Sequence, residues 1–278
     1  MKTNLFVLLL VLVTLNSCSF NEEDFEETNV TNVDNDLKPE KIYRSHFGFE
    51  EYEVLPIPDL VYDLFTYNNV NKLVKMEKAN FSNTVYWVYL NFEYNGNKVV
   101  LENKSDLPNL PVPKKKIIYT LDNSGRIIEK SIPDPIAPYA EKKYNFQYNS
   151  QGRLYQIRLT YPNITQESPY FSMIQDFENV ETFYYQGGNL EKTITQTMRS
   201  IYENSNVKVE KVFSDYDAAK NPFKKLEMID FYFYRSISDN NYRNLKTYAY
   251  DENNVKTLYS EQGFQFSYDP NHNLILTF

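Results

Sequence analysis

The sequence predicts an all-β protein, a long curved antiparallel meander of repeated hairpins that either stays open or rolls into a barrel-like shape. Three observations predict it. The phrase "FQYNSQGRL", Phe146 to Leu154, recurs in close variants along the chain. Tyr and Phe are abundant, at 25 and 19 residues, and both favour strands. Prolines gather between the copies of the phrase, where a missing N–H breaks no ladder. A low-GC genome also raises Tyr, Phe, Asn and Lys, so the phrase weighs more than the composition.

In chain order, the first element is an address. Lys2 precedes an apolar run from Leu5 to Leu15. That run is shorter than the ~20 residues a spanning helix needs, and it ends in small residues, as secretory signals do. Residues 1–17 are therefore read as a signal peptide. "LNSC" (Leu15–Cys18) resembles the lipobox of bacterial lipoproteins. The resemblance implies acylation of Cys18, the only cysteine, as the first residue of the mature chain. A lipidated Cys18 leaves the folded body with no thiol for a disulfide or a metal. The competing reading is an ordinary secretory signal with a leftover cysteine.

Residues 18–40 form the second element, a lipidated cysteine followed by an acidic tether. Ser19 to Glu40 carries a net −7, whereas residues 41–278 carry only −2 of the chain's −8. So acidic a segment cannot bury apolar area and is expected to stay solvated. Glu22, Glu23 and Asp24 resemble the export signal of Bacteroidetes lipoproteins, which implies display on the outer face of the outer membrane. They lack the basic residue or Gln that precedes such acids. The plain alternative is a spacer.

The third element, residues 41–278, is read as a single β-repeat domain. The phrase recurs around Tyr67, Tyr94, Leu121, Tyr148, Tyr185, Tyr250 and Tyr268, with a looser copy at Tyr216. Each part has a mechanical reason. Two aromatics two residues apart share one strand face. The following Asn or Asp bonds its own backbone and starts a turn. Gly or Asn near the turn's end accepts positive φ. A basic residue often follows, then the apolar residue of the return strand. Tyr67, Tyr94, Leu121 and Tyr148 are each 27 residues apart, which fits two strands and two turns and puts these turns on one sheet edge. Eight such turns imply about sixteen strands. The shorter interval from Tyr250 to Tyr268 implies shorter strands. The long departure, Asn221 to Leu245, contains "LEMIDFYFYRSI", which reads equally as a strand or a short helix.

The aromatic-x-Tyr-Asp/Asn-turn pattern, with "YDAAKNPF" (Tyr216–Phe223) and "DNNYRNLKTYAYD" (Asp239–Asp251), resembles YD-repeat-like lipoproteins of Bacteroidetes. The resemblance covers most of residues 60–278 and implies a fold, not an activity. Rhs-type YD repeats build shells around toxins; this chain is too short for a shell.

Catalytic chemistry finds little support in the residues. His46 has no second His to complete a metal set, and His272 reads as a solvated turn residue. Glu50 to Glu53 lacks the facing carboxyl that glycoside chemistry needs. Asp122, Asp251 and Asp269 read as turn caps rather than calcium ligands. Export and a near-neutral body disfavour nucleic acid. Lys114 to Lys116 reads as an edge-strand guard. No metal or cofactor is expected. The aromatics of two stretches break simple alternation. Trp87 and Tyr89 face away from Val88, Leu90, Phe92 and Tyr94; Tyr232 and Tyr234 oppose Phe231 and Phe233. Trp87, Tyr89, Tyr232 and Tyr234 are thus candidate ligand-contact aromatics, or else strands covered on both faces.

The resulting expectation is a lipid-anchored, outward-facing outer-membrane protein that binds a glycan or a protein without catalysis. The rival is a structural component of the envelope that offers sheet edges to partners. An enzyme of unrecognised type ranks last.

Overall fold

The computed structural model describes residues 37–43, 62–80, 82, 84–85, 87–110, 112, 116–134, 137–165, 167, 176–200 and 207–277. The signal peptide, Cys18, Glu22, Glu23, Asp24, His46 and Glu50–Glu53 lie outside them. One compact unit spans Asp36–Phe278.

Fourteen strands form one antiparallel sheet in strict sequence order. They are β1 (Lys41–Tyr43), β2 (Tyr62–Tyr67), β3 (Leu73–Ala79), β4 (Val88–Asn95), β5 (Lys98–Ser105), β6 (Lys116–Leu121) and β7 (Ile127–Ile132). Then follow β8 (Lys142–Tyr148), β9 (Leu154–Thr160), β10 (Asp176–Gln186), β11 (Asn189–Ser200), β12 (Lys208–Tyr216), β13 (Tyr242–Tyr250) and β14 (Lys256–Gly263). The repeated phrase forms the hairpins β2–β3, β4–β5, β6–β7, β8–β9 and β10–β11. In each, the first aromatic is buried: Phe65, Phe92, Tyr119, Phe146 and Phe183. The return residues Leu73, Val99, Ile127, Leu154 and Leu190 are buried beside them. The second position (Tyr67, Tyr94, Leu121, Tyr148, Tyr185) packs at the rim of the same core.

The turns follow the expected chemistry in two forms. Asn149 Oδ1 accepts from the Gln151 and Arg153 amides at 3.1 and 2.9 Å, and Gly152 takes φ +77°. Asn68, Asp122, Asp251 and Asp269 repeat this pattern, so the three aspartates use their oxygens on turns. His272 occupies the positive-φ position of the last such turn. Gly96 and Gly187 instead open two-residue loops with φ near +60°, the geometry of type II′ hairpins.

Two expectations need correcting. The strand count is fourteen among the described residues, not sixteen. Each earlier copy of the phrase ends an even-numbered strand, but Tyr250 ends β13, so the stretch to Tyr268 holds one strand rather than two short ones. Its aromatics accordingly face the other way. Tyr248 and Tyr250 pair across from Glu210 and Lys208, on the face opposite Phe213 and Leu245. Of the basic run, Lys114 and Lys115 lie outside the described residues, and Lys116 begins an interior strand and pairs with Glu102 at 3.1 Å, so it guards no edge.

The looser copy at Tyr216 has no hairpin turn. Residues 217–241 leave β12 and lie against the inner face of the sheet as two short 3-10 helices, Lys224–Leu226 and Asp230–Tyr232, and a four-residue α-helix, Phe233–Ser236. Phe223, Leu226, Ile229, Tyr232 and Tyr234 are buried in the core there.

This inner segment shows that the sheet is rolled. The Tyr232 hydroxyl donates to Asp63 on β2 at 2.5 Å, and the Tyr234 hydroxyl accepts from Lys211 on β12 at 2.7 Å. These strands are ten steps apart, ~48 Å along a flat sheet. The two tyrosines are two residues apart, ~7 Å at full extension. Only a sheet curled around the segment brings both strands within reach. The strand ladder does not close, since β1 and β14 are not partners. A short bridge, Tyr268 with Leu274, follows β14, and the Tyr43 amide of β1 donates to the Leu276 carbonyl at 2.7 Å.

Candidate functional site

The alternation expected for β4 holds on both faces. Val88, Leu90 and Phe92 are buried, while Trp87 keeps 60% of its surface exposed and Tyr89 is half-buried. Lys75 Nζ sits 4.1 Å from the centre of the Tyr89 ring. Trp87 and Tyr89 therefore stand on the outside of the roll, away from its concave side. Tyr232 and Tyr234 do not lie on an outer strand face as alternation suggested. Their segment is helical and both are core residues, exposed by 0% and 5%. Tyr232 is closed to any ligand, whereas Tyr234 borders a cavity.

That cavity, of about 330 Å³, lies between the inner segment and strands β6–β11. The sheet contributes Tyr119, Lys130, Tyr144, Phe146, Ile157, Leu159, Asn179, Glu181 and Thr195; the segment contributes Glu227, Asp230, Phe233 and Tyr234. The inward face of each strand supplies its residues, so the hairpin repeat itself builds the wall. On the segment, Glu227 ends the first 3-10 helix and Asp230 begins the second, and both line the cavity.

Its polar groups are fixed by specific partners. Lys130 Nζ holds both oxygens of Asp230, at 2.6 and 2.7 Å, and lies 5.0 Å from the Tyr144 ring centre. The Tyr234 hydroxyl donates to Glu181 at 2.8 Å and accepts from Lys211, whose Nζ is 4.4 Å from that ring centre. The Tyr119 hydroxyl donates to the Met228 carbonyl at 2.9 Å, and burial pushes its phenol well up. Glu227 differs from the other two acids. It makes no hydrogen bond or ion pair with any described residue. Burial pushes its carboxyl up to about 7, opposed only by Lys224. Lys224 itself pairs with Asp239 at 3.1 Å. Glu227 is partly exposed and lines the cavity.

Sequence reasoning missed this site. Glu181, Glu227 and Asp230 are 46 and three residues apart and carry no recognisable spacing. The available signal was the segment from Asn221 to Leu245 itself, which broke the repeat and carries two of the three acids.

No protein-family model matches the chain, and no curated protein matches it. Among solved structures it is similar to a porin-like protein from Bacteroides uniformis, at 12% identity over 77% of this chain and 80% of that one, with a TM-score of 0.45. It is also similar to a TcdB2-TccC3-TEV structure, at 12% identity over 70% of this chain but 12% of that one, with a TM-score of 0.23. A third likeness is to a Photorhabdus luminescens Tc holotoxin pore, at 12% identity, 77% and 14% coverage and a TM-score of 0.24. Likeness at this level says nothing of function.

Proposed function

We propose that the protein is a non-catalytic binding module, lipid-anchored in the outer membrane through Cys18 and held outward by the acidic tether that begins Glu22, Glu23, Asp24. The cavity carries the binding part of this reading. Its volume, about 330 Å³, is at the small end of ligand sites, ~300–1,000 Å³, and its wall has the usual make-up of apolar and aromatic surface with a few fixed polar groups. A glycan or protein ligand would enter it with one sugar unit or one side chain. Two of its three carboxyls are already held, Asp230 by Lys130 and Glu181 by Tyr234. A glycosidase-type mechanism needs two carboxyls free to act on either side of a bond, which favours binding over catalysis.

The test is a glycan array probed with the full chain, beside Leu159→Trp, which adds bulk to the cavity wall, and Trp87→Ala on the outer face. Binding lost in Leu159→Trp alone supports the cavity. Binding lost in Trp87→Ala alone moves the site outside. For the anchor, metabolic palmitate labelling that survives Cys18→Ala would refute it, and protease cleavage of the tether on intact cells tests the outward orientation.

A second reading, a structural or assembly component of the envelope, draws on β14. This eight-residue strand pairs with β13 alone among the described residues, and Tyr259 on it is 79% exposed. An exposed strand edge is a template for a partner strand. Crosslinking from Tyr259 on intact cells would distinguish it.

A further inference from the structure

The three acids of the cavity follow a rule with one exception. Asp230 has Lys130, whose ammonium also lies over the Tyr144 ring. Glu181 is joined through the Tyr234 hydroxyl to Lys211, whose ammonium lies over the Tyr234 ring. Each of these acids thus has an ammonium seated on an aromatic face. Glu227 has the aromatic surroundings, since Tyr119, Tyr144, Phe146 and Phe233 line the same cavity, but no cation of its own among the described residues. The described cation whose charge bears on it, Lys224, is paired with Asp239.

We infer that the ligand of this cavity carries an ammonium group, seated against the aromatic wall and countered by the Glu227 carboxylate. This rests on the cavity being the binding site proposed above and names the chemical class it takes. The physics is that of aromatic cages: a desolvated cation gains from ring quadrupoles, and a carboxylate in a low-dielectric site adds a strong Coulomb term. An anionic ligand is disfavoured, because both lysines at the cavity already have partners while Glu227 would repel it. An uncharged ligand would leave Glu227 without a counter-charge on binding, at a desolvation cost. The cavity's size limits the cationic group to a small amine or quaternary ammonium, free or at the end of a larger chain.

The experiment is calorimetric titration of the full chain at pH 8, where Glu227 is ionised. The probes are choline and butylammonium, each against an uncharged counterpart, dimethylbutanol and butanol. The expected result is that the cations bind at least roughly tenfold tighter than the alcohols. Glu227→Gln should remove that preference by weakening cation binding, with the alcohols bound no more weakly than by the native protein, which a merely structural role would not do. Leu159→Trp should abolish binding of all four. Equal binding of cations and alcohols would overturn the ammonium assignment and leave the cavity as the site. No binding of either cation would overturn it too; the glycan array then decides independently whether the cavity binds anything. Cation binding retained in Leu159→Trp would place the cation elsewhere and overturn both readings.

Discussion

The Tyr148 hydroxyl donates to the Ile127 carbonyl at 2.8 Å, from β8 to β7. This ties one hairpin to the one before it, and the contact recurs. Tyr216 on β12 donates to the Leu190 carbonyl on β11, and Tyr67 to the Pro39 carbonyl at 3.2 Å. The basic residue of the phrase reaches in the opposite direction along the chain. Lys72, Arg126 and Arg153 lie over the rings of Tyr94, Tyr148 and Tyr185 in the next hairpin, at 4.8, 4.7 and 5.8 Å. Burial pushes the Tyr94 phenol up to about 12 and raises those of Tyr67, Tyr148, Tyr185 and Tyr216 as well, so these hydroxyls stay protonated donors. The phrase is thus a connector between hairpins as well as a turn signal. Tyr148→Phe keeps the ring under Arg126 and removes only the hydroxyl. It should cost about 1 kcal/mol in urea denaturation. No change in midpoint would show that ring packing alone joins the hairpins.

The inner segment depends on a deep ion pair. The Lys130 and Asp230 side chains are 6% and 17% exposed, and their atoms meet at 2.6 Å. Lys130→Met strands a largely buried carboxylate and should destabilise by ~3–5 kcal/mol. The double variant Lys130→Met, Asp230→Leu should recover most of that loss, because the desolvation cost of both charges disappears together. Chemical denaturation of the three proteins measures the difference. A double variant no better than the single would mean that the pair also sets the position of the segment.

What the sequence made legible was local. Phe146, Tyr148, Asn149, Gly152 and Leu154 define strand face, turn and return within nine residues, and each does what its chemistry implies. What escaped was set by distant parts of the chain. Nothing within "YAYDENNV" distinguishes Tyr250 from Tyr148. Its reversed face follows from one strand fewer, because residues 217–241 replaced a hairpin turn. The stretch around Tyr232 and Tyr234 reads equally as strand or short helix, and the partners that settle it, Asp63 and Glu181, are 169 and 53 residues away. Such pairings decide between helix and strand, and no local pattern contains them. The cavity acids are brought together by the same roll and were hidden for the same reason.

The two faces of β4 should respond unequally to mutation. Phe92 is 3% exposed and Trp87 60%. Phe92→Ala should cost ~3–5 kcal/mol by leaving a cavity in the core. Trp87→Ala should stay within about 0.5 kcal/mol, as outer-surface changes usually do. Thermal unfolding of both variants tests this. A large loss in Trp87→Ala would mean that something covers the outer face of β4.

Glu227 should make the protein lose stability as pH rises. Its carboxyl has an ordinary value of 4.5 and sits near 7 when folded, because burial disfavours the charge. Between those values the folded protein keeps a proton that the unfolded chain has released. Stability therefore falls as pH climbs from about 4.5 to about 7, and this group contributes no further change above that. The loss is roughly 3 kcal/mol in order of magnitude. The groups around the carboxyl are Lys224 on its own segment, the Lys130–Asp230 pair, and the phenols of Tyr94, Tyr119 and Tyr148, which burial holds protonated through this range. Glu227→Gln cannot ionise. It should match the native protein near pH 4.5 and exceed it at pH 8, with urea midpoints at the two pH values as the measurement. Equal midpoints at pH 8 would mean that the ionised carboxylate is already compensated in the folded protein. A carboxylate that weakens the fold at neutral pH is retained at a cost, and an ammonium ligand that binds it would return that stability, so choline should raise the native midpoint at pH 8 by more than it raises that of Glu227→Gln.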